Sequence, residues 1–272
     1  MRAWCNGALI DPEEPALAPL DHGVTVGDGV FEAIKVTDGQ PFALTRHLRR
    51  LVRSAAGLGL PEPDQDHVRD GIKQVLSAEH LDLGRLRVTF TGGVGPLGSG
   101  RDQGTPTYIV VATPASPVKP TTKAVTVPWT RNEQGALAGL KTTSYAENVM
   151  ALAYAEKRGG SEAIFANTQG QLCEGTGTNV FCVFDGSVVT PPLSSGCLAG
   201  ITRELVLEWY DVAERDLTMA ELVAADEVFL TSTTRDVQGL HELDERVFPA
   251  RQPVTEQVQA CWRGQEPRAL DP

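Results

Sequence analysis

The sequence predicts an α+β fold in two domains. Three observations point there. Strands follow one another in runs of neighbours, without strict strand–helix alternation. The apolar period changes from two to three or four residues after Leu44. Residues 113–122 (TPASPVKPTT) hold three prolines and few apolar side chains, and read either as an interdomain linker or as an ordinary surface loop. Taking the linker reading, the expected division is a small α+β domain over 1–115, a linker over 116–122 and a large α+β domain over 123–272.

The elements follow in order. Ala3–Cys5 and Ala8–Ile10 flank Asn6-Gly7, a pair that favours a tight hairpin turn. Val30–Val36 reads as a strand, with Asp38-Gly39 as the next turn. Leu44, His47, Leu48, Leu51, Ala55 and Leu58 form one helical stripe, which Gly57 and Gly59 are expected to end. Val68–Leu76 is a second helix. Leu86–Phe90 and Tyr108–Ala112 are strands around the glycine-rich loop Gly92–Gly104. Further on, strands are expected at Ala124–Pro128, Glu162–Ala166, Asn179–Phe184, Ser187–Val189 and Glu227–Thr231. Helices are expected at Ser144–Lys157, Thr202–Val212 and Thr255–Arg263.

Composition narrows the function. Apolar residues make up 41%, enough for a sizeable core, and the net charge is −11. That balance argues against nucleic acid or an anionic membrane as partner, because both need a basic face. Five cysteines, none in a CxxC pair, suit buried reduced thiols better than disulfides or a zinc site, and no metal ligand set is expected. The N-terminus has no apolar signal region, and no apolar run approaches the roughly 20 residues of a membrane helix, so a cytoplasmic protein is expected. No GxxxxGK[ST] loop is present.

Five places could carry chemistry. Lys141 lies at a strand-to-helix junction, where a lysine alone is an ordinary solvated charge. Glu174, in CEGTGTN, has small neighbours that would let a flat ring approach, or it is a polar turn. Gly200-Ile201-Thr202 opens a helix, giving a phosphate cradle of backbone N–H groups or a plain cap. Thr231-Ser232-Thr233-Thr234 follows an apolar strand and makes an anion-binding turn or a hydroxyl-rich loop. Arg50 sits beside the helical stripe of His47 and Leu51, suited to a dianion or to a solvated helix face. His47 alone reads as a packed core histidine.

The order of these pieces is more specific than any one of them. HLRRL, RNE…AGLK, EGTGTNVF, PPL…LAGITRE and ADEVFLTSTT together resemble the class IV enzymes that use pyridoxal 5′-phosphate (PLP), over about residues 4–262. That group includes branched-chain and D-amino-acid aminotransferases, (R)-selective amine transaminases and aminodeoxychorismate lyases. The resemblance implies fold type IV, of the D-amino-acid aminotransferase kind, with the second domain binding PLP. It implies Lys141 as the Schiff-base lysine and general base, and Glu174 as the acid facing the pyridine nitrogen. Arg50, Gly200, the backbone of Ile201, Thr202, Ser232 and Thr233 match the phosphate site, and Tyr145 the position beside the cofactor hydroxyl. It also implies a homodimer whose active site lies between the domains with a partner contribution. Trp129, Arg131, Tyr108 and the loop near Leu97 are expected to face a small-molecule substrate.

The RNE…GLK stretch, the length and the short N-terminus resemble the lyases, KTTSYAEN resembles lyases and unassigned class IV aminotransferases alike, and EGTGTNVF and GITRE resemble branched-chain aminotransferases. The first expectation is therefore 4-amino-4-deoxychorismate lyase, releasing 4-aminobenzoate and pyruvate. The second is an aminotransferase moving an amino group to a keto acid. A catalytically idle PLP-binding protein is the third.

Overall fold

The computed structural model describes residues 2–102 and 104–272. The chain divides into two compact units. The first runs to Pro117 and adds two later pieces, Leu140–Tyr145 and Leu270–Pro272; the second holds Val118–Gly139 and Ala146–Ala269. Lys141 thus groups with the first unit and not with the chain on either side of it.

The first unit contains β1 (Arg2–Cys5), β2 (Ala8–Ile10), α1 (His22–Thr25), β3 (Gly29–Thr37), β4 (Gln40–Pro41), α2 (Leu44–Leu58), α3 (Gln65–Ala78), β5 (Leu83–Thr91) and β6 (Thr107–Pro114). Its strands form one sheet in the order β2-β1-β6-β5-β3-β4. Both expected hairpin turns are present, with Asn6 and Gly7 at φ 47° and 100°, and Asp38 and Gly39 at 49° and 71°. One face of β3 sends Val30, Ile34 and Val36 into a core with Leu86, Val88, Phe90, Val110 and the stripes of α2 and α3. Glu32 is on that face too, fully buried. By the same alternation the other face carries Phe31, Ala33 and Lys35.

Helix α2 ends at Gly59, at φ 74°, whose N–H reaches the Ala55 and Ala56 carbonyls. Gly57 does not end it, contrary to the sequence expectation. It lies inside the helix, where a Cβ would come within 2.6 Å of the Leu140 side chain.

The second unit contains β7 (Thr121–Arg131), α4 (Ala146–Glu156), β8 (Glu162–Asn167), β9 (Leu172–Gly175), β10 (Asn179–Phe184), β11 (Ser187–Thr190), α5 (Ile201–Trp209), β12 (Val212–Glu214), α6 (Met219–Ala224), β13 (Glu227–Ser232), β14 (Asp236–Leu243), β15 (Arg246–Val247) and α7 (Pro253–Gln265). The sheet order is β12-β11-β10-β13-β14-β7-β8-β9, with β15 on β14. Its core gathers Ile164, Leu172, Val180, Cys182, Leu217, Leu222, Val228, Leu230 and Leu240. The irregular stretch before β7 is shorter than the 113–122 segment: Thr121 and Thr122 already pair with Gly239 and Leu240. Helix α5 stops before Val212, because Val212 joins β12 and pairs with Val188. The cysteines are all unpaired thiols, four of them buried. No helix among the described residues is long and apolar enough to cross a membrane.

Candidate active site

The first unit positions Lys141 by its backbone. Residues 141–143 run against the start of β3. Phe31 N–H donates to the Lys141 carbonyl at 3.0 Å, and Thr143 N–H to the Gly29 carbonyl at 2.8 Å. Lys141 N–H donates to Ser54 Oγ on α2 at 3.2 Å. The ammonium end then lies 4.4 Å from the Phe31 ring centroid and 5.7 Å from that of Tyr145. Those two rings meet edge to face at 5.1 Å. A second cation shares the Phe31 ring: the Arg87 guanidinium is 3.9 Å from its centroid, with Nε donating to Thr89 Oγ1 at 3.2 Å.

On the core side of β3, Glu32 joins Arg50 and His47. Arg50 Nε and Nη2 donate to the two carboxylate oxygens at 2.8 and 2.6 Å, and His47 Nδ1 lies 2.7 Å from Oε2. Burial alone would raise the Glu32 pKa, but the Arg50 charge and the hydrogen bonds from Arg50 and His47 outweigh it and hold the carboxyl at about 2. Burial pushes His47 down, and the nearby Arg50 and Lys141 charges add to that against the pull of Glu32.

The second unit positions Glu174 near the end of β9. Oε2 accepts the Leu198 N–H at 2.9 Å. Oε1 lies 3.3 Å from Arg131 Nε. Arg131 also donates to Glu147 and to Asn148 Oδ1, and its guanidinium covers the Phe165 ring at 4.3 Å. Cys173 and Cys197 flank this acid. Burial, helped by the Glu174 charge, raises both thiols, Cys197 to about 11, so neither becomes a competing anion.

The same set of contacts reaches the start of α5. Asn179 Nδ2 donates to the Leu198 carbonyl at 2.9 Å, and Asn179 pairs in register with Thr231 on β13. Gly200 is the N-cap of α5 with no side-chain cap, and a Cβ there would overlap Asn179 Oδ1. Thr202 is buried in the first turn. An uncapped helix start of glycine and threonine fits a phosphate group, since its N–H groups and dipole favour an anion. Ser232 and Thr233 stand half-buried where β13 turns into β14. These residues fit the cofactor expected from the sequence.

The structure therefore groups Lys141, Tyr145 and Arg50 in one unit, with Arg50 on α2 paired to Glu32. It groups Glu174, Gly200, Ile201 and Thr202 in the other. Tyr108 differs from its expected role. It packs with Phe90 and His67 on the core face of the sheet, opposite Phe31, and its hydroxyl accepts the Asp64 N–H at 3.0 Å. Trp129 stacks edge-on with Tyr154 at 5.5 Å. Arg131 turns to Glu174 and α4. Arg87, Phe31 and Glu32 went unnoticed in the sequence. Alternation in Leu86-Arg-Val-Thr-Phe does put Arg87 and Thr89 on one face, but only the register Ala33↔Arg87 and Phe31↔Thr89 brings them to Phe31.

Comparison with known proteins gives consistent matches. The family model described as amino-transferase class IV matches residues 29–243. A Methanocaldococcus jannaschii protein described as "Putative branched-chain-amino-acid aminotransferase" is 34% identical over 262 residues, covering 93% of this chain and 91% of the relative. The bifunctional aminodeoxychorismate lyase / D-amino acid transaminase of Mycobacterium tuberculosis is 30% identical, covering 92% of this chain and 93% of the relative. The crystal structure of the branched-chain aminotransferase from Thermoproteus uzoniensis with norvaline superposes with a TM-score of 0.90 at 30% identity, covering 97% of this chain and 93% of that one.

Proposed function

Because the chain belongs to the class IV aminotransferase family, we propose that it moves the amino group of a small apolar α-amino acid, of branched-chain type, to a keto acid. Class IV aminotransferases use PLP, and so does this enzyme. When bound, PLP supplies an electron sink for the charge left on the amine-bearing carbon.

The chain's own residues do the rest. Lys141 Nζ would hold the cofactor until the substrate amine displaces it, and the freed amine would then take the proton from the amine-bearing carbon and deliver it to the carbon on the other side of the substrate nitrogen. Glu174 keeps the ring nitrogen protonated. Arg50, the Gly200–Ile201 backbone, Thr202, Ser232 and Thr233 hold the phosphate, and Tyr145 lies by the cofactor hydroxyl. Arg87 receives the substrate carboxylate, while Phe31 gives the apolar side chain a wall.

One observation carries the amino-acid reading. Lys141 Nζ and the Arg87 guanidinium lie 4.4 and 3.9 Å from the centroid of a single aromatic ring. An α-amino acid bears its amine, its carboxylate and its side chain on one carbon, so a guanidinium for the carboxylate and an apolar ring for the side chain, beside the lysine whose place the substrate amine would take, match its three parts.

The test is a donor panel with purified holoenzyme: L-leucine, L-isoleucine, L-valine and D-alanine, each with 2-oxoglutarate. Turnover of a branched-chain donor, lost together with the visible cofactor absorbance in Lys141→Ala, is the expected result. A protein that turns over none of the three branched-chain donors would end the reading. The lyase is the second reading, favoured by the bifunctional M. tuberculosis relative. It requires release of 4-aminobenzoate and pyruvate from 4-amino-4-deoxychorismate with no keto acid added. A homodimer belongs to the same proposal, and the exposed Val24, Val26, Val94 and Leu97 of the first unit suit a covered surface. A monomer by analytical ultracentrifugation would remove that part.

A further inference from the structure

We propose that Arg131 is a positioning residue for Glu174, fixing the carboxylate as a charged, aimed group so that it keeps the proton on the cofactor's ring nitrogen. The proposal rests on the reading of Glu174 given above.

The guanidinium of Arg131 is held from four elements of the second unit. Its own strand is β7. Helix α4 supplies Glu147 and Asn148, whose side chains accept from Nη1. Strand β8 supplies the Phe165 ring, 4.3 Å below the guanidinium. Strand β9 supplies Glu174, and Phe165 is its register partner. Asn148 is itself fixed, because its Nδ2 donates to the Thr176 carbonyl at 2.5 Å, two residues beyond Glu174. The cation is thus set in a closed ring of contacts, 16% exposed, rather than extended toward solvent.

The consequence falls on the carboxylate. Oε2 takes the Leu198 N–H at 2.9 Å, and Oε1 faces Arg131 Nε at 3.3 Å. The two contacts fall on different oxygens, so together they limit the turning of the carboxylate about its last bond. The Arg131 Nε atom is buried and makes no hydrogen bond, so this contact is one of charge and not of donor geometry. A charge contact tolerates exchange of one cation for another better than a bidentate hydrogen bond does.

The test uses holoenzyme loaded with cofactor labelled with ¹⁵N in the ring, comparing wild type, Arg131→Gln, Arg131→Lys, Glu174→Gln and the Arg131→Gln/Glu174→Gln double variant. Glu174→Gln should move the ring ¹⁵N resonance toward the unprotonated position. Arg131→Gln should move it the same way and lower kcat about tenfold to hundredfold, the range seen for partners that orient an active group, with KM within about threefold. Arg131→Lys should fall between Arg131→Gln and wild type. On the Glu174→Gln background, Arg131→Gln should add nothing.

A resonance and kcat within twofold of wild type in Arg131→Gln overturn the proposal, as does an effect that adds in full to that of Glu174→Gln. If Arg131→Gln does not fold, the same cycle is run with Arg131→Met, which removes the charge but keeps the length of the side chain. A shift that vanishes on the Glu174→Gln background then supports the proposal, and no shift overturns it. If Glu174→Gln itself leaves the resonance in place, the reading of Glu174 fails and the positioning role falls with it.

Discussion

Arg50 grips Glu32 through two nitrogens, Nε on Oε1 at 2.8 Å and Nη2 on Oε2 at 2.6 Å, with both side chains buried. Removing one partner strands the other charge in the core, which costs about 3–5 kcal/mol, far more than a surface pair is worth. Glu32→Ala should therefore lower the unfolding free energy by about that amount in a denaturant titration. Replacing both residues by apolar ones, Glu32→Leu with Arg50→Met, should recover much of the loss, because no unpaired charge remains. A Glu32→Ala protein as stable as wild type would show that the pair carries no such penalty.

The same cluster sets a pH dependence. Glu32 has a folded pKa of about 2, below its ordinary 4.5. Its contribution is therefore present above pH 4.5 and drains away as the pH falls toward 2, a linkage of about 3 kcal/mol. His47 is also depressed from its ordinary 6.5. The unfolded chain then binds a proton below pH 6.5 that the folded chain does not, so stability already begins to fall there. Thermal unfolding should show Tm dropping below pH 6.5 and more steeply below 4.5. In His47→Gln the first decline should flatten while the second persists. An unchanged slope between pH 6.5 and 5 in that variant would remove His47 as the cause.

What the sequence disclosed tracks how local each signal is. The apolar stripe of helix α2 and the Asn6-Gly7 and Asp38-Gly39 turns are written within a few residues, and they appear as read save that Gly57 does not end the helix. Strand β9 was missed, because four residues beside a glycine-rich run carry no period. Strand β14 was missed as well: Gly239 interrupts it, and it pairs in parallel with a strand more than a hundred residues earlier. The site divides in the same way. Lys141 and Glu174 stand in spaced motifs, which is what marks them as candidates in the sequence. Arg87 and Glu32 depend on sheet register. Arg131 was matched to substrate because nothing local marks Glu174 as its neighbour.

Gly57 gives a test of how Lys141 is placed. A side chain there would meet Leu140 Cδ2 at 2.6 Å and Cδ1 at 3.0 Å, and Leu140 precedes Lys141. Its backbone is ordinary helix, so the glycine serves close approach and not an unusual φ. Gly57→Val should leave the fold in place, since valine costs a helix less than glycine does. It should instead push the 140–141 segment and reduce kcat several-fold, with a changed visible circular dichroism of the bound cofactor. Adding Leu140→Ala should restore both by opening the space. Wild-type kcat in Gly57→Val would mean that the segment yields without moving Lys141.

Gly200 tests the phosphate cradle. Its φ and ψ of −70° and 137° suit any residue, so alanine there adds no backbone strain. The whole effect must come from the Cβ meeting Asn179 Oδ1, and Asn179 cannot easily retreat: its amide holds the Leu198 carbonyl and its backbone pairs with Thr231. The helix start should shift instead. Overpacking of this kind costs about 1–3 kcal/mol, and displacement of the first amides of α5 should weaken PLP binding at least about tenfold, each factor of ten being about 1.4 kcal/mol. Trimming the neighbour with Asn179→Ala should recover affinity in the Gly200→Ala background more than it helps the wild type. Equal Kd values for Gly200→Ala and wild type in a spectroscopic PLP titration would show that the phosphate does not sit on these amides.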